Sequence, residues 1–294
     1  MKHIKLAIIL IIRTIRWIFI KFSTKNNEII AEVNDYNLIL KTDKKGLDLK
    51  EDSIFRQLAL DGRRELEATK IIKQVIKPGD IICELGANIG YYAVLEAGIA
   101  GPEGIVYAIE LEPHNIELLK RNIALNNLKN IQAYHLAISD KNGEYPLYVT
   151  GSSNLHSMIK PSHGYFSTIN TKTSTLDNFL ADKKKITFLR MDIEGYEYYA
   201  LRGMQKTLNE NPKLKLFIEL HAHLIEPEKT IEILQMLKSH GFEILKAITH
   251  DNYLRRILKQ VTVEDISIDE LCHDKRVVNR QNAFEIFFSK QNVQ

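Results

Sequence analysis

The sequence has few of the residues that mark unusual protein classes. Only two of its 294 residues are cysteines, Cys83 and Cys272, and neither has a neighbour at the spacing of a zinc site. A disulfide scaffold is therefore excluded, and such sparse use of cysteine is typical of a reducing compartment. Fourteen glycines and seven prolines are too few for a collagen-like or low-complexity chain. No block repeats along the chain, which argues against solenoids and propellers. We expect a globular protein with two buried thiols.

Acidic residues are absent from the first 25 positions, and this changes the meaning of the net charge. The whole chain carries +3 with a pI near 8.6, a balance that by itself suggests a nucleic acid or an anionic membrane as partner. Residues 1–25 contribute six of the 40 basic side chains, so the other 269 residues hold 34 basic and 37 acidic ones. Because this body is mildly acidic, we expect no nucleic-acid partner.

The basic terminus is also strongly apolar. It resembles a membrane span, but Arg13 and Arg16 would each cost about 2.5–3.5 kcal/mol at the centre of a bilayer. On a helix these arginines share one stripe with Lys2 and Lys5, and isoleucines cover much of the remaining surface. Residues 1–25 are therefore predicted to form a basic amphipathic helix that lies in a membrane interface. Packing of this helix on the protein's own core or on a second subunit is the alternative.

The expected location follows from the same terminus. A secretory signal is disfavoured because arginines interrupt the apolar region and no small-residue cleavage site follows. We expect a cytoplasmic protein with peripheral contact on the inner face of the membrane.

The remaining sequence predicts an α/β fold. Short alternating apolar runs with turn signals indicate a small N-terminal cap over residues 26–70. Residues 71–294 then alternate strand-length apolar runs with stretches of helical periodicity. Strands that are apolar on both faces and separated by helices form a parallel sheet covered on both sides. The predicted strands are Ile81–Leu85, Ile105–Ile109, Ile131–Ile138, Ile186–Met191, Leu214–Leu220 and Phe242–Ile248, with Ala283–Phe288 as a closing strand at the edge.

A glycine-containing turn follows the first strong strand. Its sequence ELGANIG runs from Glu84 to Gly90, and the G-x-x-x-G spacing matches neither the dinucleotide fingerprint nor a phosphate-binding P-loop. The next strand ends at Glu110, where a carboxylate can accept hydrogen bonds from two ribose hydroxyls. Together the two features predict a nucleoside site without pyrophosphate recognition. Taken separately, the glycines make only a tight turn and Glu110 caps the helix that begins near Pro113.

Five motifs, in order within about residues 60–250, resemble a known family. ICELGANIGYYAV resembles the first motif of class I S-adenosylmethionine-dependent methyltransferases, and IVYAIELEP resembles the second. AISDKNG, TLDNF, and FLRMDIEG with the later ALRG are similar to the signature of FkbM-type methyltransferases. The resemblance implies a Rossmann-like, mostly parallel sheet of seven strands that binds S-adenosylmethionine over the ends of its first two strands.

The resemblance also implies which residues bind the cofactor. Glu84, Gly86, Asn88 and Gly90 would line the methionine side, Glu110 would hold the ribose, and the segment from Ala137 to Asp140 would lie near the adenine. Two positions depart from the family pattern. Leu111-Glu112 stands where Pro and a small polar residue are more common, and Arg190 replaces a lysine before D-x-E-G. The second departure concerns contacts with the substrate.

Carboxylates and imidazoles follow two neighbouring strands. Asp192 and Glu194 follow the fourth strand, and Glu219, His221 and His223 alternate along the end of the fifth. Methyl transfer to an alcohol requires removal of the acceptor's proton. We predict Asp192 or His221 as general base, with Glu194 and Glu219 orienting groups or capping the next helix. In a variant, Asp192, Glu219 and His221 hold a divalent cation that acidifies the hydroxyl. A helix-end charge for Glu194 and structural roles for the histidines are the alternatives.

The family resemblance alone implies the acceptor, a hydroxyl of a glycan, glycolipid or other secondary metabolite. The polar stretch from Thr150 to Thr173 is the predicted substrate loop, since loops of this length are usually functional; a disordered excursion is the alternative. RNA methylation is a second interpretation, weakened by the acidic body and the lack of an RNA-binding module. A third is a non-catalytic, membrane-tethered module that binds a nucleoside, against which the intact Asp192 and Glu194 argue. None of these features predicts an oligomeric state.

Overall fold

The structure is a computed structural model that describes residues 11–12, 14–18, 20, 28–41, 54–62, 64–150, 158–159, 165–249 and 261–290. Its strands are β1 (Glu28–Val33), β2 (Tyr36–Lys41), β3 (Ile81–Leu85), β4 (Ile105–Glu110), β5 (Ile131–His135), β6 (Ala137–Ile138), β7 (Gly143–Thr150), β8 (Tyr165–Ser174), β9 (Phe188–Met191), β10 (Lys215–Leu220), β11 (Phe242–Thr249), β12 (Thr262–Glu264) and β13 (Phe284–Lys290). Its helices are α1 (Ile54–Asp61), α2 (Leu66–Val75), α3 (Tyr91–Ala100), α4 (Pro113–Leu125), α5 (Leu176–Phe179), α6 (Glu197–Arg202), α7 (Gln205–Glu210), α8 (Pro227–Ser239), α9 (Ile268–Cys272) and α10 (Lys275–Val278).

The central sheet contains eight strands in the described part of the chain, in the order β12-β11-β13-β10-β9-β3-β4-β5. From β10 to β5 all neighbours are parallel, whereas β13 runs antiparallel between β10 and β11. The predicted α/β fold with a mostly parallel sheet is confirmed. The predicted count of seven strands becomes eight because the three-residue β12 pairs with β11 at the edge.

The prediction that the last apolar run closes the sheet at its edge is wrong. Strand β13 lies inside the sheet, and its first five residues are all buried. A strand that is apolar on both faces needs cover on both faces, which an interior position gives. The ring of Phe287 in this strand stacks on Phe217 of β10 with centroids 4.1 Å apart. Both cysteines are buried and free, as predicted.

The cap packs on helix α4 through two asparagines. Asn122 accepts a hydrogen bond from the Ile39 N–H at 2.6 Å and donates to the Ile39 carbonyl at 3.3 Å. Asn126 likewise accepts a hydrogen bond from the Asn37 N–H at 2.9 Å and donates one to the Asn37 carbonyl at 2.7 Å. These side chains satisfy backbone groups of β2 as a neighbouring strand would. Apolar residues of the cap, among them Leu40, belong to the same hydrophobic core as one face of the sheet.

Part of the predicted substrate loop is a β-hairpin. Strands β7 and β8 pair antiparallel, and β6 adds to β8 to complete a three-stranded sheet. The loop prediction is therefore wrong for residues 165–173, which form strand β8. Alternating Thr and polar residues with Tyr, Phe and Ile suit an exposed strand. Residues 151–157 and 160–164 of the predicted loop lie outside the described residues.

The N-terminal helical segment, described at residues 11–12, 14–18 and 20, has one face on the cap. Trp17 is buried in the core that the cap shares with the sheet, and Arg16 Nη1 donates to the Leu60 carbonyl at 2.6 Å. The opposite face, Ile11, Ile12, Ile15 and Ile18, is about half exposed. Among the described residues, no helix is long and apolar enough to span a bilayer. Lys2, Lys5 and Arg13, the other cations of the predicted stripe, lie outside the described residues.

Candidate active site

The carboxyl ends of β3, β4, β9 and β10 lie at one edge of the sheet, where ligands bind in open α/β folds. The glycine turn begins there. The N–H groups of Gly86 and Ala87 both donate to the Ile109 carbonyl at 3.0 Å, which fastens the turn to β4. Gly86 has φ +80°, and a Cβ atom there would lie 1.9 Å from the Asp192 carbonyl oxygen. Only glycine therefore allows the turn to pass this close to the end of β9.

Glu110 is turned toward the glycine turn. Its Oε2 accepts the Asn88 N–H and its Oε1 accepts the Glu112 N–H, each at 2.7 Å. Burial raises the pKa of Glu110 to about 7. Helix α4 is capped by Glu112 instead, whose Oε2 accepts the Asn115 N–H at 2.6 Å. The helix-cap interpretation of Glu110 is thus wrong, and its carboxylate lies at the wall of a cavity.

That cavity brings together only some of the predicted site residues. Its wall includes Glu84, Gly86, Asn88, Glu110, Asp192 and Glu194, together with Arg64, Ala87, Ile89, Tyr91, Tyr92, Leu111, Glu112, Asn115, Arg190 and Ile193. Gly90 does not line it, because it faces Leu119. Ala137 is buried in β6, and Asp140 accepts a 3.2 Å hydrogen bond from Ser139 Oγ; neither lines the cavity.

Arg190 is part of the cavity wall, although only 3% of its surface is exposed. Its Nη1 pairs with Glu84 Oε1 at 2.7 Å, and its Nη2 lies 3.2 Å from Asp192 Oδ2 and 3.8 Å from Glu65 Oε2. The guanidinium stacks 3.8 Å above the ring of Tyr92. The expectation that Arg190 concerns substrate contacts is therefore not supported, since its guanidinium is engaged with protein carboxylates.

Glu84 is occupied by the same network. Burial raises its pKa to about 7 even though Arg190 acts in the opposite direction. The carboxyl group of Glu84 lies next to that of the fully buried Glu96. Burial and the neighbouring Glu84 raise the pKa of Glu96 well above its ordinary value. Burial and Glu84 thus favour the neutral form of Glu96, which disfavours a second buried negative charge beside Glu84.

The predicted acid and imidazole cluster is assembled around His221. Its Nδ1 lies 2.8 Å from Glu197 Oε1. Its Nε2 lies 3.5 Å from Glu194, 3.7 Å from Glu219 and 3.9 Å from Asp192. Strands β9 and β10 thus bring together the groups that follow them in sequence, as predicted. His223 lies beside His221, with ring centroids 5.7 Å apart.

The groups of this cluster differ in charge. Burial alone would lower the pKa of His221, but the carboxylates, led by Glu197, raise it well above its ordinary value. Burial would raise the pKa of Asp192, but Arg190, His221 and Arg64 hold it below its usual range. Burial and the charge of Asp192 raise the pKa of Glu194 to about 7. His221 is therefore cationic and Asp192 ionised near pH 7, while Glu194 exchanges its proton there.

Ligand atoms of Asp192, Glu219 and His221 lie within 4.8 Å of one another, close enough to bind one metal ion together. The same holds for Glu65, Glu219 and Glu285. Two carboxylates and an imidazole suit several divalent cations. The predicted set for a cation is therefore brought together by the fold.

Sequence reasoning missed Arg64, Glu65, Tyr91, Tyr92 and Glu197. Tyr91 Oη donates to the Arg64 carbonyl, and Tyr92 Oη to Glu65 Oε2, each at 2.7 Å. Glu65 has φ 47°, a left-handed conformation uncommon for this residue type. In the sequence, the tyrosine pair directly after the glycine turn was the one feature that could have indicated these residues. The contacts join segments 27 residues apart, and local patterns do not reveal them.

Comparison with known proteins yields one family. A family model described as "Methyltransferase FkbM domain" matches residues 84–244, more than half of the chain. The tRNA (guanine(37)-N(1))-methyltransferase of Saccharomyces cerevisiae is 30% identical over 121 residues, which cover 41% of this chain and 23% of that protein. The enzyme of the same name from Phytophthora infestans is 33% identical over 117 residues, 40% of this chain and 26% of that protein. The chain spans about a quarter of the length of these curated relatives.

Among solved structures, methyltransferase FkbM from Methylobacillus flagellatus KT is 17% identical with a TM-score of 0.42. The match covers 81% of this chain and 56% of that one.

Replacing Arg190 with methionine should destabilise the folded protein. The change keeps much of the side-chain volume but leaves Glu84 and Asp192 buried without their cation. We expect the free energy of unfolding to fall by about 3–5 kcal/mol, measured by urea titration. The control is Arg202→Met, which removes an exposed pair with Glu232 and should cost less than about 1 kcal/mol. Equal unfolding midpoints for the two variants would contradict a structural role for Arg190.

Proposed function

Because this chain belongs to the methyltransferase FkbM domain family, we propose that it is an S-adenosylmethionine-dependent methyltransferase acting on a hydroxyl oxygen. The observation that carries this proposal is the position of Glu110. Its buried carboxylate binds the backbone of the glycine turn and lines the same cavity as Asp192 and Glu194. A group suited to a nucleoside and groups suited to accepting a proton therefore share one cavity.

The residues of the cavity wall support binding of S-adenosylmethionine. The Glu110 carboxylate accepts backbone N–H groups of Asn88, Glu112 and Leu111, and its remaining acceptor capacity is available to a ribose hydroxyl. Gly86 and Asn88 are proposed to line the methionine end of the cofactor. Gly90 allows helix α3 to begin directly after the turn. Glu84 acts through Arg190, to which its Oε1 is bonded. When bound, the cofactor supplies a methyl group on a positively charged sulfur, which nearby carboxylates stabilise.

The segment from Ala137 to Asp140 is proposed to flank the adenine, although it does not line the cavity. The family resemblance supports this placement, and the side-chain contacts of the segment do not add to it. Asp140 is bonded to Ser139, which also lies 3.1 Å from Tyr196 Oη.

Glu194 is the best-placed proton acceptor for the hydroxyl. It lines the cavity, and its side chain is 28% exposed, compared with 15% for Asp192 and 5% for His221. A base that titrates near neutral pH combines availability with driving force. Asp192 stays ionised beside Arg190 and orients the acceptor, and the cationic His221 stabilises the charge on Glu194. The variant in which Asp192, Glu219 and His221 bind a divalent cation is the second mechanism to test.

The proposed acceptor is an uncharged hydroxyl compound such as a glycan, glycolipid or other secondary metabolite. The carboxyl groups of Asp192 and Glu194 line the catalytic end of the cavity, and the ionised Asp192 disfavours a polyanion there. The two curated relatives described above are named as tRNA methyltransferases, and the chain spans about a quarter of their length. RNA is therefore the alternative acceptor, and a nucleoside-binding module without turnover is the other alternative.

We also propose peripheral membrane contact through residues 1–25. Ile11, Ile12, Ile15 and Ile18 form an apolar face directed away from the cap, and Trp17 anchors the other face of the segment. Cations without acidic neighbours flank this face in the sequence and suit anionic lipid headgroups.

The acceptor class can be measured by transfer of labelled methyl from S-adenosylmethionine into fractionated glycans, lipids and RNA. We expect label in the glycan or lipid fraction. With the acceptor in hand, Glu194→Gln should lower kcat by about 10²–10⁴-fold because it cannot accept a proton. Glu117→Gln, an exposed carboxylate outside the cavity, is the matched control. Full turnover by Glu194→Gln would refute the assignment, and loss of wild-type activity in EDTA would favour the cation variant.

Affinity for the nucleoside should depend on pH through Glu110. Because the pKa of Glu110 is about 7, the acceptor-only carboxylate predominates above that pH and is lost below it. Binding of 5′-methylthioadenosine, which lacks the amino acid, should weaken roughly tenfold from about pH 8 to pH 6. Calorimetry measures this change. Glu110→Gln should bind weakly at both pH values, and a pH profile identical to that of the wild type would contradict the role of Glu110.

Membrane contact can be tested by flotation with vesicles containing phosphatidylglycerol. Changing Ile11, Ile15 and Ile18 to serine removes the apolar face without touching Trp17 or Arg16, and should reduce vesicle binding at least about tenfold. The control changes Ile30, Phe166 and Val263, which are exposed elsewhere, to serine. Equal flotation of the two triple variants would exclude contact through the terminal helix.

A further inference from the structure

Arg64 reaches the cavity from the cap, outside the family match at residues 84–244. Its backbone is held at the start of α3. Tyr91 Oη donates to the Arg64 carbonyl at 2.7 Å and lies 3.1 Å from the Arg64 N–H, which donates to it. Thr69 Oγ1 donates to the same carbonyl at 3.2 Å. Because Tyr91 directly follows the glycine turn, these bonds fix Arg64 relative to the turn.

The side chain of Arg64 is only partly engaged. Its Nε pairs with Glu65 Oε1, and within the described residues Glu65 is its ion-pair partner. Glu65 is itself positioned by the 2.7 Å hydrogen bond from Tyr92. The Arg64 side chain is 25% exposed and lines the cavity. Its guanidinium therefore has donors available for a ligand.

The cavity wall carries a strong excess of carboxylates. Two cations face them, Arg64 and Arg190. Arg190 is 3% exposed and bonded to Glu84 and Asp192, so it has little to offer a ligand. Arg64 is therefore the accessible cation of the wall, counted over the described residues. The carboxylates are Glu84, Glu110, Glu112, Asp192 and Glu194.

The methionine end of S-adenosylmethionine carries charges of both signs. Its sulfonium and ammonium groups are attracted by carboxylates, but its α-carboxylate is repelled by them and requires a cation. A guanidinium suits a carboxylate, since it can donate two parallel hydrogen bonds. We infer that Arg64 binds the α-carboxylate of S-adenosylmethionine, so that the cap contributes a binding group to the cofactor site. This inference rests on the proposed function.

The test compares three ligands by calorimetry on the full chain at one fixed pH. S-adenosylmethionine and S-adenosylhomocysteine have the carboxylate, and 5′-methylthioadenosine lacks the whole amino acid. Arg64→Gln should weaken binding of the first two ligands about 10–100-fold and leave the third within about twofold. Arg64→Lys should recover part of the loss, because it restores the charge without the paired donors.

The matched control is Arg121→Gln. Arg121 also joins the cap to the body, with hydrogen bonds of 2.9 and 2.7 Å to Glu28, but it does not line the cavity. It should leave all three affinities unchanged. If Arg64→Gln weakens the three ligands equally, or none of them, the inference is overturned. If the wild type binds none of the three, the proposed function itself fails, an outcome distinct from selective failure of Arg64.

Discussion

The burial of one guanidinium, that of Arg190, is the constraint on which the rest of the site depends. A cation with 3% exposure is tolerated only when carboxylates surround it. Glu84 from β3, Asp192 after β9 and Glu65 from the cap all point toward it. These contacts fix the ends of β3 and β9 and the cap relative to one another. At the same strand ends the glycine turn passes so close to the backbone of Asp192 that no side chain fits at Gly86.

The charges around Arg190 also give the acids near the cavity different pKa values. Asp192 lies beside Arg190 and its pKa is lowered, whereas burial and the charge of Asp192 raise the pKa of Glu194, two residues later, to about 7. His221 is held cationic by Glu197 and the acids around it. A fixed negative charge and a group able to exchange a proton thus stand side by side, which is the requirement for acid–base work near neutral pH.

The cap contacts both the acidic cavity and the basic terminal segment, two regions of opposite charge that the net charge of +3 does not reveal. Its inner segment places Arg64, paired with Glu65, at the cavity, where acids predominate. Its Leu60 carbonyl accepts the hydrogen bond of Arg16 from the basic terminal segment. Arg16, the described cation of the terminal segment, therefore binds the cap outside the cavity.

Periodicity and motif order by themselves determined the α/β fold, the glycine turn, Glu110 at the end of β4 and the acids and histidines at the ends of β9 and β10. These features depend on local patterns and on the shared edge of a parallel sheet. Tertiary structure decided the rest. The interior place of β13 depends on partners distant in the chain, and so do the hidden roles of Arg190 and Glu84. No spacing rule brings Arg64 to the cavity; it arrives there because two tyrosines of another segment bind its backbone and its neighbour Glu65. Long-range burial and charge compensation, which a linear pattern does not contain, made those choices.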